Sequence, residues 1–211
     1  MKVAIIGTGY VGLPTGIGLA ELGNTVVCVD KIAEKVEALS AGKATIYEDG
    51  MEKLFQKHLK SGALSFTLDM AKAVGGADVV MLAVGTPPHP VTKEADLKYI
   101  YAAAEELAGC LDGYTVVATK STVPVGTGDE VEAIIRRVNP SADFDVVSLP
   151  EFLREGFAVH DFFHPDRIVI GADSGRAKDV LLKLYAPFAG KTEFLLVNRK
   201  SSETIKSVSY T

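Results

Sequence analysis

MKVAIIGTGYVGLPTGIGLAELGNTVVCVD, residues 1–30, decides the fold. Lys2–Ile6 is apolar and β-branched and ends at a glycine, which predicts a short buried strand. Gly7-Thr8-Gly9-Tyr10-Val11-Gly12 follows directly, then a helical pattern with Val11, Leu19 and Leu22 on one face and Gly23 as its stop. Thr25–Val29 reads as a second buried strand with Asp30 at its end. Each glycine answers a physical need. Gly7 makes a tight turn, Gly9 lets a pyrophosphate approach the backbone, and Gly12 lets the helix pack on the strand. A helix N-terminus offers free N–H groups and the positive end of its dipole to those phosphates. The Asp30 carboxylate is spaced to accept from the ribose hydroxyls of a dinucleotide.

The rest of the chain alternates in the same way. Helical patterns at 32–39, 51–59, 96–111, 130–138 and 175–185 separate strands at 64–67, 77–84, 115–119, 145–149, 167–171 and 192–197. Short connections between alternating elements predict a doubly wound, mostly parallel α/β sheet of the Rossmann type, with helices on both faces. Residues 1–198 are expected to form this domain, and 199–211, capped by Ser201 or Ser202, to begin a connecting helix. In open α/β sheets ligands bind at the carboxyl edge. That edge should carry the loops Gly85-Thr86-Pro87 and Lys120-Ser121-Thr122, and the segment Pro150–Gly156. Lys35 lies one helical turn beyond Asp30, near the adenosine end of a bound dinucleotide, though pattern alone fits a solvated lysine equally.

A chain of 211 residues with 47% hydrophobic residues can bury a full core. Its net charge of −5 argues against a nucleic-acid surface or a polybasic membrane patch. Two cysteines, Cys28 and Cys110, fit a reducing cytoplasm rather than a disulfide framework. Glycines interrupt the apolar start, so it does not read as a signal peptide, and no segment approaches the ~20 apolar residues of a membrane span. No metal-ligand spacing appears; His58, His89, His160 and His164 are expected on surfaces or in loops. Glu151 and Glu155 are four apart. One helical turn would put them on one face, where each raises the other's pKa and suits a general base. A solvated Glu151 with Glu155 capping a helix fits the pattern as well.

Five ordered motifs carry a family resemblance: Gly-Thr-Gly-Tyr-Val-Gly at 7–12, Gly-Thr-Pro-Pro at 85–88, Lys-Ser-Thr-Val-Pro-Val-Gly-Thr at 120–127, Pro-Glu-Phe-Leu-Arg-Glu-Gly at 150–156 and His-Pro-Asp-Arg-Ile-Val-Ile-Gly at 164–171. Together they resemble the amino-terminal, NAD-binding half of the nucleotide-sugar 6-dehydrogenases of the UDP-glucose/GDP-mannose dehydrogenase family. The likeness runs to about residue 206 and is strongest to members acting on UDP-glucose. It implies two successive oxidations of the sugar C6 by NAD⁺ to give UDP-glucuronate, through a cysteine-bound thioester that water releases. It also implies roles. The NAD contacts would be Gly7, Gly9, Tyr10, Val11, Gly12, Asp30, Lys35, Gly85, Thr86, Pro87, Ser121, Thr122 and Glu155. Glu151 would act as acid/base, with Thr122 beside it in the catalytic set, and Lys206 would steady the developing oxyanion. Glu151, Phe152, Leu153, Arg154, Glu155 and Lys206 would line the sugar site. Members acting on GDP-mannose or UDP-N-acetylmannosamine are the alternatives, as is a non-catalytic NAD-binding module.

The sequence departs from the family's pattern in three places. Glu48-Asp49-Gly50-Met51 stands where Glu-Pro-Gly-Leu is usual, in a loop read as peripheral. Tyr210 stands where asparagine is usual. The family's central helix, nucleotide-sugar domain and cysteine loop have no counterpart in these 211 residues, so the chain is expected to be an amino-terminal fragment. The resemblance then implies a homodimer through the central helix for the intact enzyme, and a monomer or non-specific association is expected of the fragment.

Overall fold

The computed structural model describes residues 1–87 and 95–208. An eight-stranded sheet has the order β3-β2-β1-β4-β5-β6-β7-β8. The strands are β1 Lys2–Ile6, β2 Thr25–Val29, β3 Leu64–Thr67, β4 Val79–Leu82, β5 Thr115–Thr119, β6 Phe144–Ser148, β7 Arg167–Gly171 and β8 Glu193–Val197. All neighbours pair in parallel except β6 and β7, which touch antiparallel at Ser148 and Gly171. The first six strands follow the doubly wound order of dinucleotide-binding sheets, and β7 with β8 extend it in the opposite direction. The strand order reverses between β1 and β4, so the glycine loop after β1 and the Gly85 loop after β4 meet at this switch point.

The helices are α1 Gly12–Glu21, α2 Ala33–Ser40, α3 Met51–Ser61, α4 Met70–Val74, α5 Lys98–Ala108, α6 Thr127–Val138, α7 Ala158–Phe163, α8 Gly175–Leu184 and α9 Arg199–Val208. Side chains alternate across a strand, so the unbroken apolar run of β1 feeds two cores. Val3 and Ile5 join Leu13, Ile17, Phe55 and Met81 on one face; Ala4 and Ile6 join Val80, Leu82, Ile100 and Ile135 on the other.

Several boundaries and placements differ from the pattern-based reading. Helix α1 does not present one apolar face: Gly12–Ala20 are all buried, because α3 and α7 pack on it as well as the sheet. Gly18 makes room for the Phe162 ring of α7. The strand read at 77–84 is ordered as β4 only from Val79 to Leu82. Helix α5 starts and stops inside the range 96–111; Asp96 precedes it and accepts from the Lys98 N–H at 3.1 Å. Helix α7 was not legible at all. His58 is neither on the surface nor in a loop. It is buried on α3, with Nε2 2.5 Å from Glu21 Oε2. Asn198, not Ser201 or Ser202, caps α9, its Oδ1 accepting from the Ser201 N–H at 2.8 Å. Helix α9 lies against β6 and β7. His89 and Tyr210 lie outside the described residues.

Candidate dinucleotide and acid–base site

The glycines of the first loop divide into two kinds. Gly7 has φ +100°, and a Cβ there would come 2.6 Å from the Ala83 carbonyl oxygen. A Cβ on Gly12 would overlap the Gly7 carbonyl oxygen. Both are glycines because the fold needs them. Gly9 is different: its φ is not positive and a Cβ there would meet no atom within 4 Å. Among the described residues no side chain caps α1 and its first turn holds no acid. The positive end of the helix is therefore uncompensated by any side chain there. Tyr10 is half exposed beside it.

Asp30, at the end of β2, is held from several sides. Its Oδ2 accepts from the Thr8 N–H at 3.1 Å, the Thr8 hydroxyl at 2.6 Å and Lys35 Nζ at 2.8 Å, while Oδ1 accepts from the Ile32 N–H at 3.2 Å. Burial pushes its carboxyl pKa up, but the Lys35 and Thr8 hydrogen bonds outweigh this and leave it below the usual range. Lys35, on α2, is thus held at the end of β2 by its pairing with Asp30. Lys31 pairs with Glu106 at 3.1 Å.

The loops after β4 and β5 are stitched together. Thr86 Oγ1 donates to the Thr122 carbonyl at 2.9 Å and Ser121 Oγ to the Val84 carbonyl at 2.6 Å. Gly85 and Pro87 are exposed at the lip of this edge.

The third loop corrects the carboxylate-pair expectation. Residues 151–154 are not helical, so Glu151 and Glu155 do not share a helix face: Glu151 is buried and Glu155 exposed. Glu151 is paired with a cation instead. Its Oε1 lies 2.9 Å from Lys206 Nζ and its Oε2 accepts from the Leu153 N–H at 2.6 Å. Lys206 Nζ also donates to the Glu151 carbonyl. Lys206 is only 2% exposed, and its place is fixed by the rest of α9. Ser202 Oγ donates to Ser148 Oγ at 2.9 Å and packs where a Cβ on Gly171 would sit. The Glu203 carboxylate accepts from the Gly126 and Gly128 N–H groups at 2.7 and 2.8 Å, and Arg199 donates to Glu132 at 2.8 Å.

Two cavities flank this segment. One of about 430 Å³ is lined by Tyr10, Val11, Glu151, Leu153, Arg154, Glu155 and Ala158, and joins the glycine loop to the acid. The other, of about 440 Å³, shares Glu151 and Arg154 and reaches Phe152, Lys120 and Arg167. Arg154 is tied to Asp161 by Nε at 2.9 Å and Nη2 at 2.7 Å. Lys120 was missed as a site residue. It is buried at the end of β5 and donates to the Leu149 carbonyl at 3.3 Å. Burial lowers its pKa to about 8 against the opposing pull of Glu151. A lysine directly following five strand residues was the available signal. Glu203 and Glu48 were also missed, because their partners are backbone N–H groups 75 or more residues away.

A glycine loop at the switch point and an acid after β2, with a buried acid–ammonium pair on the same edge, are the marks of a dinucleotide-binding domain of the Rossmann type. Residues 1–189 match the profile described as UDP-glucose/GDP-mannose dehydrogenase family, NAD binding domain, and the chain belongs to that family. It is 53% identical over 98% of its length to UDP-glucose 6-dehydrogenase of Rhizobium meliloti, covering 48% of that protein. UDP-glucose dehydrogenase of Pyrobaculum islandicum superposes with a TM-score of 0.92 at 40% identity, covering 98% of this chain and 48% of that one. GDP-mannose dehydrogenase of Pseudomonas aeruginosa gives 0.95 at 32%, covering 100% and 49%. The chain spans about half the length of the relatives it matches. NAD fits the residues present: Gly9 leaves room that no protein atom requires, and Asp30 stands one strand away. No helix among the described residues is long and apolar enough to cross a membrane.

Proposed function

We propose that this chain holds NAD across the carboxyl edge and serves the oxidation of the C6 hydroxyl of UDP-glucose, in two steps, to UDP-glucuronate. The observation that carries this reading is Glu151, paired with the buried Lys206 and lining a cavity shared with Tyr10 and Val11 of the glycine loop. The relatives' names supply the substrate, with GDP-mannose the alternative drawn from a neighbour. Bound NAD⁺ supplies the hydride acceptor. The chain's own residues do the rest. Asp30 takes the adenosine ribose, and the α1 start faces the pyrophosphate. Tyr10, Val11, Gly85, Thr86, Pro87, Ser121, Thr122 and Glu155 contact the cofactor along the same edge. Lys206, a cation held beside the reacting oxygen, favours the charge that develops there more than the ground state. Glu151 accepts or returns a proton at its Oε1, with Thr122 near the same edge, and Phe152, Leu153 and Arg154 line the sugar.

Burial disfavours the thiolate at both cysteines of this chain. Cys28 is buried with its pKa pushed up to about 12, and burial also raises Cys110. We therefore assign the acyl step to a cysteine outside these residues, in a cytoplasmic homodimer. The domain boundary near residue 198 stays part of this reading. Glu151→Gln in the intact enzyme tests it. The first hydride transfer should be slowed less than thioester hydrolysis, which loses about 10²–10⁴-fold, so acyl-enzyme accumulates in single-turnover experiments. Equal slowing of both steps with no acyl-enzyme would remove Glu151 from that role.

A further inference from the structure

Glu48 lies in the stretch between α2 and α3 that the sequence marked as peripheral, yet it is 2% exposed. Its carboxylate reaches across 108 and 110 positions of sequence. Oε1 accepts from the Gly156 N–H at 3.0 Å and Oε2 from the Ala158 N–H at 2.9 Å. Both oxygens are thus committed to backbone donors on either side of Phe157. Gly156 is a strained position for other residues, with φ +83°, so the chain bends sharply where the carboxylate grips it. The loop that carries Glu48 is itself held, because Gln56 Nε2 donates to the Gly42 carbonyl at 2.7 Å.

The gripped backbone is part of the cofactor-facing cavity. Glu155 and Ala158 line it together with Tyr10 and Val11. The other ends of the segment have their own anchors: Glu151 on Lys206, and Arg154 on Asp161. Glu48 alone among these anchors comes from the half of the sheet that holds Asp30. We infer that Glu48 is a positioning residue, which sets the Glu155–Ala158 backbone against the glycine loop so that the nicotinamide half of the cofactor is seated. This rests on the NAD reading above.

The test compares two ligands on the 211-residue chain. ADP reports the adenosine end and NAD⁺ the whole site. Glu48→Gln keeps the size of the side chain but turns one acceptor into a donor facing an N–H group. NAD⁺ affinity should fall about tenfold, the scale of one lost hydrogen bond, while ADP affinity is unchanged. Glu48→Gln combined with Glu155→Ala should bind NAD⁺ no more weakly than Glu155→Ala alone, because the two act on one contact. Unchanged NAD⁺ affinity, or equal loss of NAD⁺ and ADP in a folded variant, overturns the inference. Should Glu48→Gln fail to fold, Glu48→Asp, which keeps both acceptors one methylene short, takes its place in both titrations. There too a selective loss of NAD⁺ affinity supports the inference, and an unchanged or equal response overturns it. A wild-type chain that binds neither ligand overturns the NAD reading and this inference with it. A wild-type chain that binds NAD⁺ with variants that match it overturns this inference alone.

Discussion

Alanine at Gly9 and at Gly12 should separate ligand binding from folding. The two positions are three residues apart, Gly9 in the loop and Gly12 at the start of α1, but only Gly12 is crowded by the protein. A methyl at Gly12 meets the Gly7 carbonyl oxygen, a backbone atom that cannot turn aside. Overpacking of this kind costs about 1–3 kcal/mol, and more where backbone must move. For a chain of this size each kcal/mol lowers Tm by roughly 2–4 °C. A methyl at Gly9 meets nothing and needs no left-handed backbone, so stability should hold or rise by about 0.4–1 kcal/mol through the unfolded state. The same methyl stands where the pyrophosphate must approach, and NAD⁺ affinity should fall at least about tenfold, or 1.4 kcal/mol. Thermal unfolding and calorimetric titration on the purified chain measure both. Wild-type NAD⁺ affinity in Gly9→Ala, or a Tm loss in Gly9→Ala equal to that of Gly12→Ala, would refute the division.

Three further outcomes follow from the site. NAD⁺ should bind more tightly than NADP⁺, because the ionised Asp30 opposes a 2′-phosphate, and Asp30→Ala should narrow the gap; tighter NADP⁺ binding in titrations would contradict this. Lys206→Met leaves the buried Glu151 carboxylate without its cation and should cost about 3–5 kcal/mol in urea unfolding, most of it recovered in Glu151→Gln/Lys206→Met; a harmless single variant would show that the pair does not form. The third concerns pH. Lys120 titrates near 8 when folded and near 10.4 when unfolded, so the unfolded chain binds more protons between these values. Its contribution should therefore grow more favourable as pH rises from about 8 to about 10, and the difference between wild type and Lys120→Met, measured by urea unfolding, should show that slope. A pH-independent difference would mean that burial does not depress the Lys120 pKa.

The sheet was legible because its strands are short β-branched runs that need only local pattern, and the glycine spacing fixed where the helix begins. Helix α7 was not, because Ala158–Phe163 is six residues long and its start is capped by Glu48 from another part of the chain. The site was legible as a set of types and edges. Spacing offered Glu155 as the partner of Glu151, whereas the fold supplies Lys206, since α9 packs against β6 and β7. The Glu203 contacts that seat α9 and the burial of Lys120 are likewise products of tertiary packing. So is the position of Glu48, whose loop carries no periodicity that would mark it as internal.

Hydrogen exchange on the chain with and without saturating NAD⁺ tests the central claim most directly, because it reports where the cofactor lies as well as whether it binds. Protection is predicted at residues 8–13, at 30–35, at 85–87 and 121–122, and along 151–158, with the far strands β7 and β8 unchanged. Binding without protection of the glycine loop, or protection confined to surfaces away from the carboxyl edge, would contradict the account.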